Sequence, residues 1–391
     1  MYKLSENTFN EKEINSVIKL ISSSKPLSYS KNVLKLEKKI AKLHQRKYAI
    51  MVNSGSSANL LGIAALIYDN QFKLKKGDEV LVPAISWSTT YTPLIQLGLK
   101  LVFVDVEKET FNLDPNLVEK AISKKTKAIF CVNILGLCCN YSKLQKIALK
   151  NKLYIFEDNC ESLGAKYNNI PSGKFGIFSS LSSYYSHHIC TIEGGFLLTD
   201  NFRLYCNALS IRSHGWLREQ PANSHIKSKK FSDFEKKFKF FLPGFNLRPT
   251  EINAVLGLEQ LKKLNSFLKF RKENAKVVYD IFSESKNSYM QKYDNHSSFF
   301  GFSFILKNKL LNNRKKIINF LDANKIECRP IVSGNILNNP MLNFANYRKY
   351  GNFKNVNYID QNGFMIGNRS RPFTKIEIKA LKKLNKFINN I

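Results

Sequence analysis

An α/β fold with a mainly parallel sheet is what the sequence predicts, from three observations. Between residues 48 and 156, short strand-like runs alternate with helical stretches, the order that builds parallel sheets flanked by helices. Tyr48-Ala49-Ile50-Met51-Val52 is apolar from end to end and reads as a buried strand. A long helical stretch, Pro249 to Phe282, then leads into a further strand and helices, as a link to a smaller C-terminal α/β domain would. The expected division is a large domain over residues 1–250 and the linking helix with the small domain over 251–391.

In chain order, Ile14, Val17, Ile18 and Ile21 share one helical face between Phe9 and Ser22, and a second amphipathic helix runs from about Asn32 to Gln45. The strand at 48–52 ends in Asn53-Ser54-Gly55-Ser56-Ser57-Ala58-Asn59, ahead of a helical run from Leu60 to Ile67. A strand, a small hydroxyl-rich turn and a helix start bring free backbone N–H groups and the positive helix end to one spot, which suits an anion, although the same residues are good helix caps. Strands follow at Glu79 to Ala84, Leu101 to Val106, Ala128 to Ile134 and Leu153 to Phe156, with helices at Thr89 to Leu97, Pro115 to Ser123 and Tyr141 to Lys150. Trp87 and Asp158 each fall just past a strand's carboxyl end, where open α/β sheets place their ligands; the first could instead be core and the second a helix cap.

The stretch Ser182-Ser183-Tyr184-Tyr185-Ser186-His187-His188-Ile189-Cys190-Thr191-Ile192-Glu193-Gly194-Gly195 reads as a short strand, a loop with paired histidines, and a second strand from Phe196 to Thr199. Paired glycines let other groups approach the backbone closely, and an imidazole can exchange a proton near neutral pH. Beyond it, Arg203 to His214 is helical, Trp216 to Lys239 is a lysine-rich insertion or flap, Phe300 to Leu306 is a strand, and Asn312 to Ala323 a helix. The last helix, Lys375 to Asn389, is expected to turn Ile376, Ile378, Leu381, Leu384 and Ile388 inward.

With 391 residues, 43% of them hydrophobic and 12% aromatic, the chain can bury a large core. No apolar run approaches membrane-spanning length, the start does not read as a secretion signal, and seven cysteines without regular spacing fit a reducing cytoplasm. The formal charge of +31 comes mainly from lysines scattered along the chain, among them Lys73, Lys75, Lys76, Lys227, Lys229, Lys230, Lys382 and Lys383. No nucleic-acid module accompanies them, so the charge reads as compositional bias or as steering of an anionic small molecule; neither nucleic acid nor membrane is an expected partner.

Taken in order, a phosphate-binding turn, an aromatic plate, an acidic residue and a proton-transfer residue in a serine-rich loop resemble the DegT/DnrJ/EryC1/StrS family. These are the sugar aminotransferases of the fold-type I, aspartate aminotransferase-like pyridoxal-phosphate enzymes. The resemblance spans nearly the whole chain and includes Ser54-Gly55-Ser56-Ser57-Ala58, Val82 to Thr89, Glu157-Asp158 with Glu161 to Ala165, Ser182 to Gly195, and Gly244 to Arg248 with Glu251 to Ala254. It implies a homodimer with shared sites. It also implies that Gly55, Ser56 and Ser182 hold the cofactor phosphate with Asn246 of the second subunit, that Trp87 stacks on the ring, that Asp158 pairs with the ring nitrogen, and that Glu161 belongs to the same site.

One position departs from the aminotransferase pattern. Six residues before the glutamate of Glu-Gly-Gly, where family aminotransferases hold their cofactor as a Schiff base on lysine, this chain has His187. The family's 3-dehydratases carry that replacement, and the likeness extends to Trp87 to Tyr91, Tyr184 to His188 and Ile326 to Val332. The resemblance thus implies non-covalent pyridoxal 5'-phosphate or pyridoxamine 5'-phosphate, with His187 as the catalytic base. The implied substrate is a nucleotide-linked 4-keto-6-deoxy sugar that loses its 3-hydroxyl on a route to deoxysugars of the lipopolysaccharide kind, with glutamate as amino donor. His188, a weaker candidate for the base, joins Arg248 and Arg329 as candidate substrate residues. The rivals are an aminotransferase that uses another lysine and a non-catalytic regulator on the same scaffold. No cluster-type cysteine spacing supports the family's iron–sulfur branch, and no metal is expected.

Overall fold

The computed structural model of the protein describes residues 2–23, 25–226 and 231–390. An eight-stranded sheet runs in the order Tyr48–Val52, Gly195–Thr199, Phe178–Ser182, Tyr154–Asp158, Thr126–Val132, Glu79–Pro83, Lys100–Val104 and Tyr347–Tyr350. Gly195–Thr199 is antiparallel to both neighbours and every other pairing is parallel, which is the expected mainly parallel, mixed sheet. Successive strand residues feed opposite faces, as the pleat requires. Val80, Val82, Phe103, Phe130 and Phe156 pack with helices Gly55–Ile67 and Ser88–Gln96, while Leu81, Val102, Ile129 and Ile155 pack with Tyr141–Asn151. Two helical layers therefore close the sheet and leave the carboxyl ends of its strands as the open edge.

The 32-residue helix Glu251–Phe282 leads to an antiparallel sheet of Ser288–Tyr289, Gly301–Leu306 and Gly363–Gly367. Helices Arg314–Ala323 and Lys375–Asn390 cover it, with Ile317, Leu321, Leu381 and Leu384 fully buried or nearly so. Two segments cross the expected division at residue 250. Tyr2 is buried in the small core and its hydroxyl donates to Gly367 O at 2.7 Å, while Tyr347–Tyr350 extends the large sheet beside Lys100–Val104.

Several expectations need correction. The helix after the first strand begins at Gly55, not Leu60, because Ser54 Oγ caps it by accepting from Ser57 N at 3.0 Å. Asp158 is the last residue of its strand, not the first beyond it, and Ser182 closes a strand instead of opening one. Tyr184 and Tyr185 leave the sheet because the antiparallel partner strand begins only at Gly195, opposite Ser182. Ile376 is 74% exposed; the inward position falls to Glu377, which pairs with Arg369 and Arg371. Ile14, Ile18 and Ile21 are likewise exposed, and the first helix turns Glu13 inward to Gln260 and Lys263.

Within the lysine-rich segment a short helix, Asp233–Lys236, starts at a capping box on Ser232, and Trp216 bridges to Phe240; Lys227, Lys229 and Lys230 lie outside the described residues. No helix among the described residues is long and apolar enough to cross a membrane.

Candidate active site

At the carboxyl ends of the central strands lies a cavity of about 300 Å³. Of the expected site residues, Gly55, Ser56, Trp87, Asp158, Glu161, Ser182, His187 and Arg329 line it. Four separate strand ends deliver all of them but Arg329, which comes from the small domain, so the site exists only once the sheet is assembled.

One wall is the start of helix Gly55–Ile67, whose first amides have no acceptor within the helix. The wall is kept bare by geometry: a Cβ on Gly55 would sit 2.7 Å from Cys160 Sγ and 2.8 Å from Ser182 Cβ. A Cβ on Gly195 would lie 2.4 Å from Ser54 C and 2.5 Å from Gly55 N, so the second glycine of the pair lets the antiparallel strand press against the helix start. Beside this cradle, Ser56 Oγ donates to Thr89 Oγ1 at 2.8 Å.

Asp158 is 5% exposed and accepts from three donors, which leaves it acceptor capacity for one more. Its Oδ2 accepts from Asn59 Nδ2 at 3.0 Å and Thr90 Oγ1 at 2.8 Å, and its Oδ1 accepts from Cys160 N at 3.1 Å. Three donors fix the carboxylate's orientation and stabilise its charge. Its neighbour Glu157 points away and accepts from the amides of Gly173, Phe175 and Gly176, which makes it a structural clamp. Trp87 is 55% exposed at the cavity's edge and belongs to no core cluster, which removes the alternative of a packed core residue.

His187 sits in the wall with its ring 5.2 Å from that of Phe300. Its Nδ1 is buried without a hydrogen-bond partner. Burial, then the cations of Arg329 and Arg271, pulls its pKa down to about 3, so the ring is neutral near pH 7. Glu161 is half-buried: its Oε2 accepts from Leu135 N at 2.9 Å, Arg329 Nη2 lies 3.9 Å from its Oε1, and desolvation raises its pKa.

Three expected residues are not brought to this cavity. His188 is fully buried behind His187, its Nε2 3.2 Å from Ser298 O; this corrects its place among candidate substrate residues, because the ring packs on Phe300 instead of facing the opening. Asn246 pairs with Ser213 through the backbone and accepts from Arg248 Nε at 3.1 Å, so both lie outside the protomer's own cavity. Sequence reasoning missed Asn59, Thr90, Glu193 and Phe300 as site components. Glu193 lines the cavity and had served only to set the register of His187.

The donor set fits a phosphate-bearing aromatic cofactor: bare helix amides for a phosphate, a half-exposed indole for a ring, and an oriented carboxylate for a protonated ring nitrogen. Among the described residues no lysine lines the cavity. Among the described residues no group of three or more His, Cys, Asp or Glu is arranged to hold a metal ion.

Comparison with known proteins agrees with this geometry. The family model described as "DegT/DnrJ/EryC1/StrS aminotransferase family" matches residues 7–370. The GDP-4-keto-6-deoxy-D-mannose 3-dehydratase of Yersinia pseudotuberculosis is 44% identical over 382 residues, covering 97% of each chain. A crystal structure of GDP-4-keto-6-deoxymannose-3-dehydratase with a trapped PLP-glutamate geminal diamine superposes with a TM-score of 0.94 at 40% identity, covering 99% of this chain and 100% of the other. The E. coli dehydratase with bound hydrated PLP gives a TM-score of 0.94 at 42% identity, covering 98% and 99%.

Proposed function

The chain belongs to the DegT/DnrJ/EryC1/StrS aminotransferase family, and from that premise we propose that it is a PLP-dependent 3-dehydratase of a nucleotide-linked 4-keto-6-deoxyhexose, GDP-4-keto-6-deoxymannose being the substrate its relatives are named for. The observation that carries this reading is a cavity with bare helix amides, an indole and an oriented carboxylate, a histidine in its wall and, among the described residues, no lysine lining it. Bound as pyridoxamine phosphate, the cofactor supplies an amine for the sugar's keto carbon and a ring that accepts an electron pair.

The chain's own residues do the rest. The amides at Gly55 and Ser56 and the hydroxyl of Ser182 would hold the phosphate, Trp87 would lie against the ring, and Asp158 would keep the ring nitrogen protonated. His187, neutral at pH 7, takes a proton from the cofactor's methylene carbon and can return it to the oxygen leaving sugar carbon 3. The 3-hydroxyl would leave as water and hydrolysis would free ammonia, the cofactor ending in its aldehyde form; the two electrons its amine form gives up leave a 3-deoxy-4-keto product one oxygen lighter than the substrate. With an imidazole in place of lysine, no described residue lining the cavity offers an amine to displace the sugar and complete an amino transfer.

The reading includes a cytoplasmic homodimer in which Asn246 and Arg248 serve the neighbouring subunit's site. Their position outside the protomer's own cavity supports it, as do the free cysteines. The test is incubation with pyridoxamine phosphate and a panel of 4-keto-6-deoxy nucleotide sugars, with ammonia and product mass as readouts. Ammonia with a product lighter by one oxygen is expected. An amino sugar, or a lysine–cofactor adduct after borohydride reduction, would overturn the proposal.

A further inference from the structure

Beside the cofactor cavity, and sharing Tyr184, Ser186, His187, Phe300 and Arg329 with it, lies a second chamber of about 230 Å³. Its far wall comes from the small domain and the N-terminal segment, through Arg271, Asn368, Ser370 and Glu6. Arg271 is 5% exposed, and its Nη1 donates to the carbonyl oxygens of Phe299 at 3.3 Å and Phe300 at 3.2 Å. Its Nε is buried without an acceptor, and it enters no ion pair with any described residue. Glu6, the one carboxylate on this wall among the described residues, is already engaged by Arg371 at 3.1 Å and Arg369 at 3.9 Å. Ser370 Oγ is also buried without a partner.

A guanidinium held in the interior without a paired anion is costly, and such a site gains most from a ligand that brings the missing charge. Burial draws Arg271 down to about 10, which leaves it a cation at neutral pH. The second cation, Arg329, lines both chambers, and its Nη2 lies 3.9 Å from Glu161, beyond hydrogen-bond distance. The space is below the ~300–1,000 Å³ of sites for drug-sized ligands, so it suits a short acid and not a nucleoside diphosphate. A group bound there lies against His187.

We propose that this second chamber receives the side-chain carboxylate of a dicarboxylic amino-acid donor, with Arg271 as its counter-charge. The assignment rests on the functional reading above together with the glutamate donor that the family resemblance implies, which would return the cofactor to its amine form. In that step glutamate and the pyridoxal form become 2-oxoglutarate and the pyridoxamine form, so the amino group moves and no further oxidant or reductant is needed. Arg329 at the junction of the two chambers is placed to meet the donor's other carboxylate.

The test compares glutamate with norvaline, which has the same chain length and no distal carboxylate, as donors to the PLP-loaded protein, following the loss of pyridoxal absorbance. Wild type should favour glutamate in apparent affinity by about 30-fold or more, the scale set by a desolvated charge pair. Arg271→Met should lose most of that preference through KM for glutamate, with norvaline little changed and Arg271→Lys partly restoring it. Equal use of the two donors by wild type, which requires no variant and no folding control, overturns the assignment. The nucleotide-sugar reaction of the pyridoxamine-loaded wild type is measured separately. Its absence would sink the functional reading without touching the donor comparison.

Discussion

Replacing His187 by asparagine separates proton transfer from cofactor binding. The ring touches no hydrogen-bond partner through Nδ1 and packs on Phe300, so the substitution removes little that holds the fold: about 1 kcal/mol, the ordinary scale for a single change. The catalytic loss is of another size. A positioned base contributes ~100- to 10,000-fold, or ~2.7–5.5 kcal/mol of barrier. Because Arg329, Arg271 and burial hold the imidazole near a pKa of about 3, essentially every molecule at pH 7 carries the neutral base, and the full loss should be visible.

The titratable and charged groups that share this ring's two cavities are Asp158, Cys160, Glu161, Tyr184, Glu193 and Arg329 on one side and Glu6, Tyr185 and Arg271 on the other, with His188 beside it in the chain; burial, then Arg329 and Arg271, makes the net effect disfavour the imidazolium. The same shift fixes a sign for stability. With a folded pKa below the unfolded value of ~6.5, the unfolded chain binds more protons between pH 6.5 and about 3, so this ring lowers stability progressively as pH falls through that window. His187→Asn should flatten that part of the stability–pH curve. Rapid-quench single turnovers with pyridoxamine phosphate and nucleotide sugar, beside an absorbance titration of cofactor affinity, measure both halves of the claim. Dehydration within about 10-fold of wild type would refute the assignment of the base. So would a loss of cofactor binding as large as the loss of rate, which would make the ring a ligand holder.

His187→Lys should permit covalent attachment of pyridoxal phosphate, seen as a shifted absorbance band and a borohydride-fixed adduct at residue 187; an unchanged spectrum would show that the side chain cannot reach the cofactor. Gly195→Ala places a methyl 2.4 Å from Ser54 C and 2.5 Å from Gly55 N, backbone atoms that cannot swing aside. It should cost ~1–3 kcal/mol in denaturant unfolding and weaken pyridoxamine phosphate binding through displacement of the helix start, whereas wild-type values for both would mean the strand and helix move apart freely. Thr90→Val removes one of the two side-chain donors to Asp158 Oδ2 and keeps Asn59. Cofactor affinity should fall by about 10- to 100-fold, matching ~1.5–3 kcal/mol for a hydrogen bond to a charged group, with Thr90→Ser retaining most of it. A fluorescence titration showing no change would remove Thr90 from the support of Asp158.

Tyr48–Val52 was legible even though it lies at the sheet's edge, because both its faces are covered and a five-residue apolar run bounded by a polar turn is a strong strand signal. Tyr347–Tyr350 was not legible: it is an edge strand with Arg348 and Lys349 at its centre, and it holds its place through the bidentate pair of Arg348 with Glu79 at 2.9 and 2.7 Å. That partner lies 269 residues away, beyond any local pattern. The first helix misled for a related reason. Its isoleucines share a face by periodicity, but its inward face follows Glu13, which accepts from Gln260 at 2.7 Å, and periodicity assigns no value to a buried ion pair. The site shows the same division. Gly55, Trp87, Asp158 and His187 stand in short motifs that carry their chemistry locally, whereas Thr90 and Asn59 acquire a role only from Asp158, which is 68 and 99 residues away in the chain.

The electrostatic surroundings of position 187 explain how one residue can divide two chemistries on one scaffold. Two arginines and a hydrophobic ring make the place hostile to any added proton, whichever side chain stands there. An imidazole is thereby kept as a neutral base. A lysine in the same surroundings would be pulled below its ordinary ~10.4, which raises its share of free amine. The cavity therefore need not be rebuilt to pass from amino transfer to dehydration, since the field that makes histidine a base would make lysine a nucleophile. What changes is whether the side chain can form a bond to carbon at all, and on this argument His187→Lys should gain cofactor attachment before it gains efficient amino transfer, because attachment needs only a free amine within reach whereas transfer also needs proton movement at the methylene carbon.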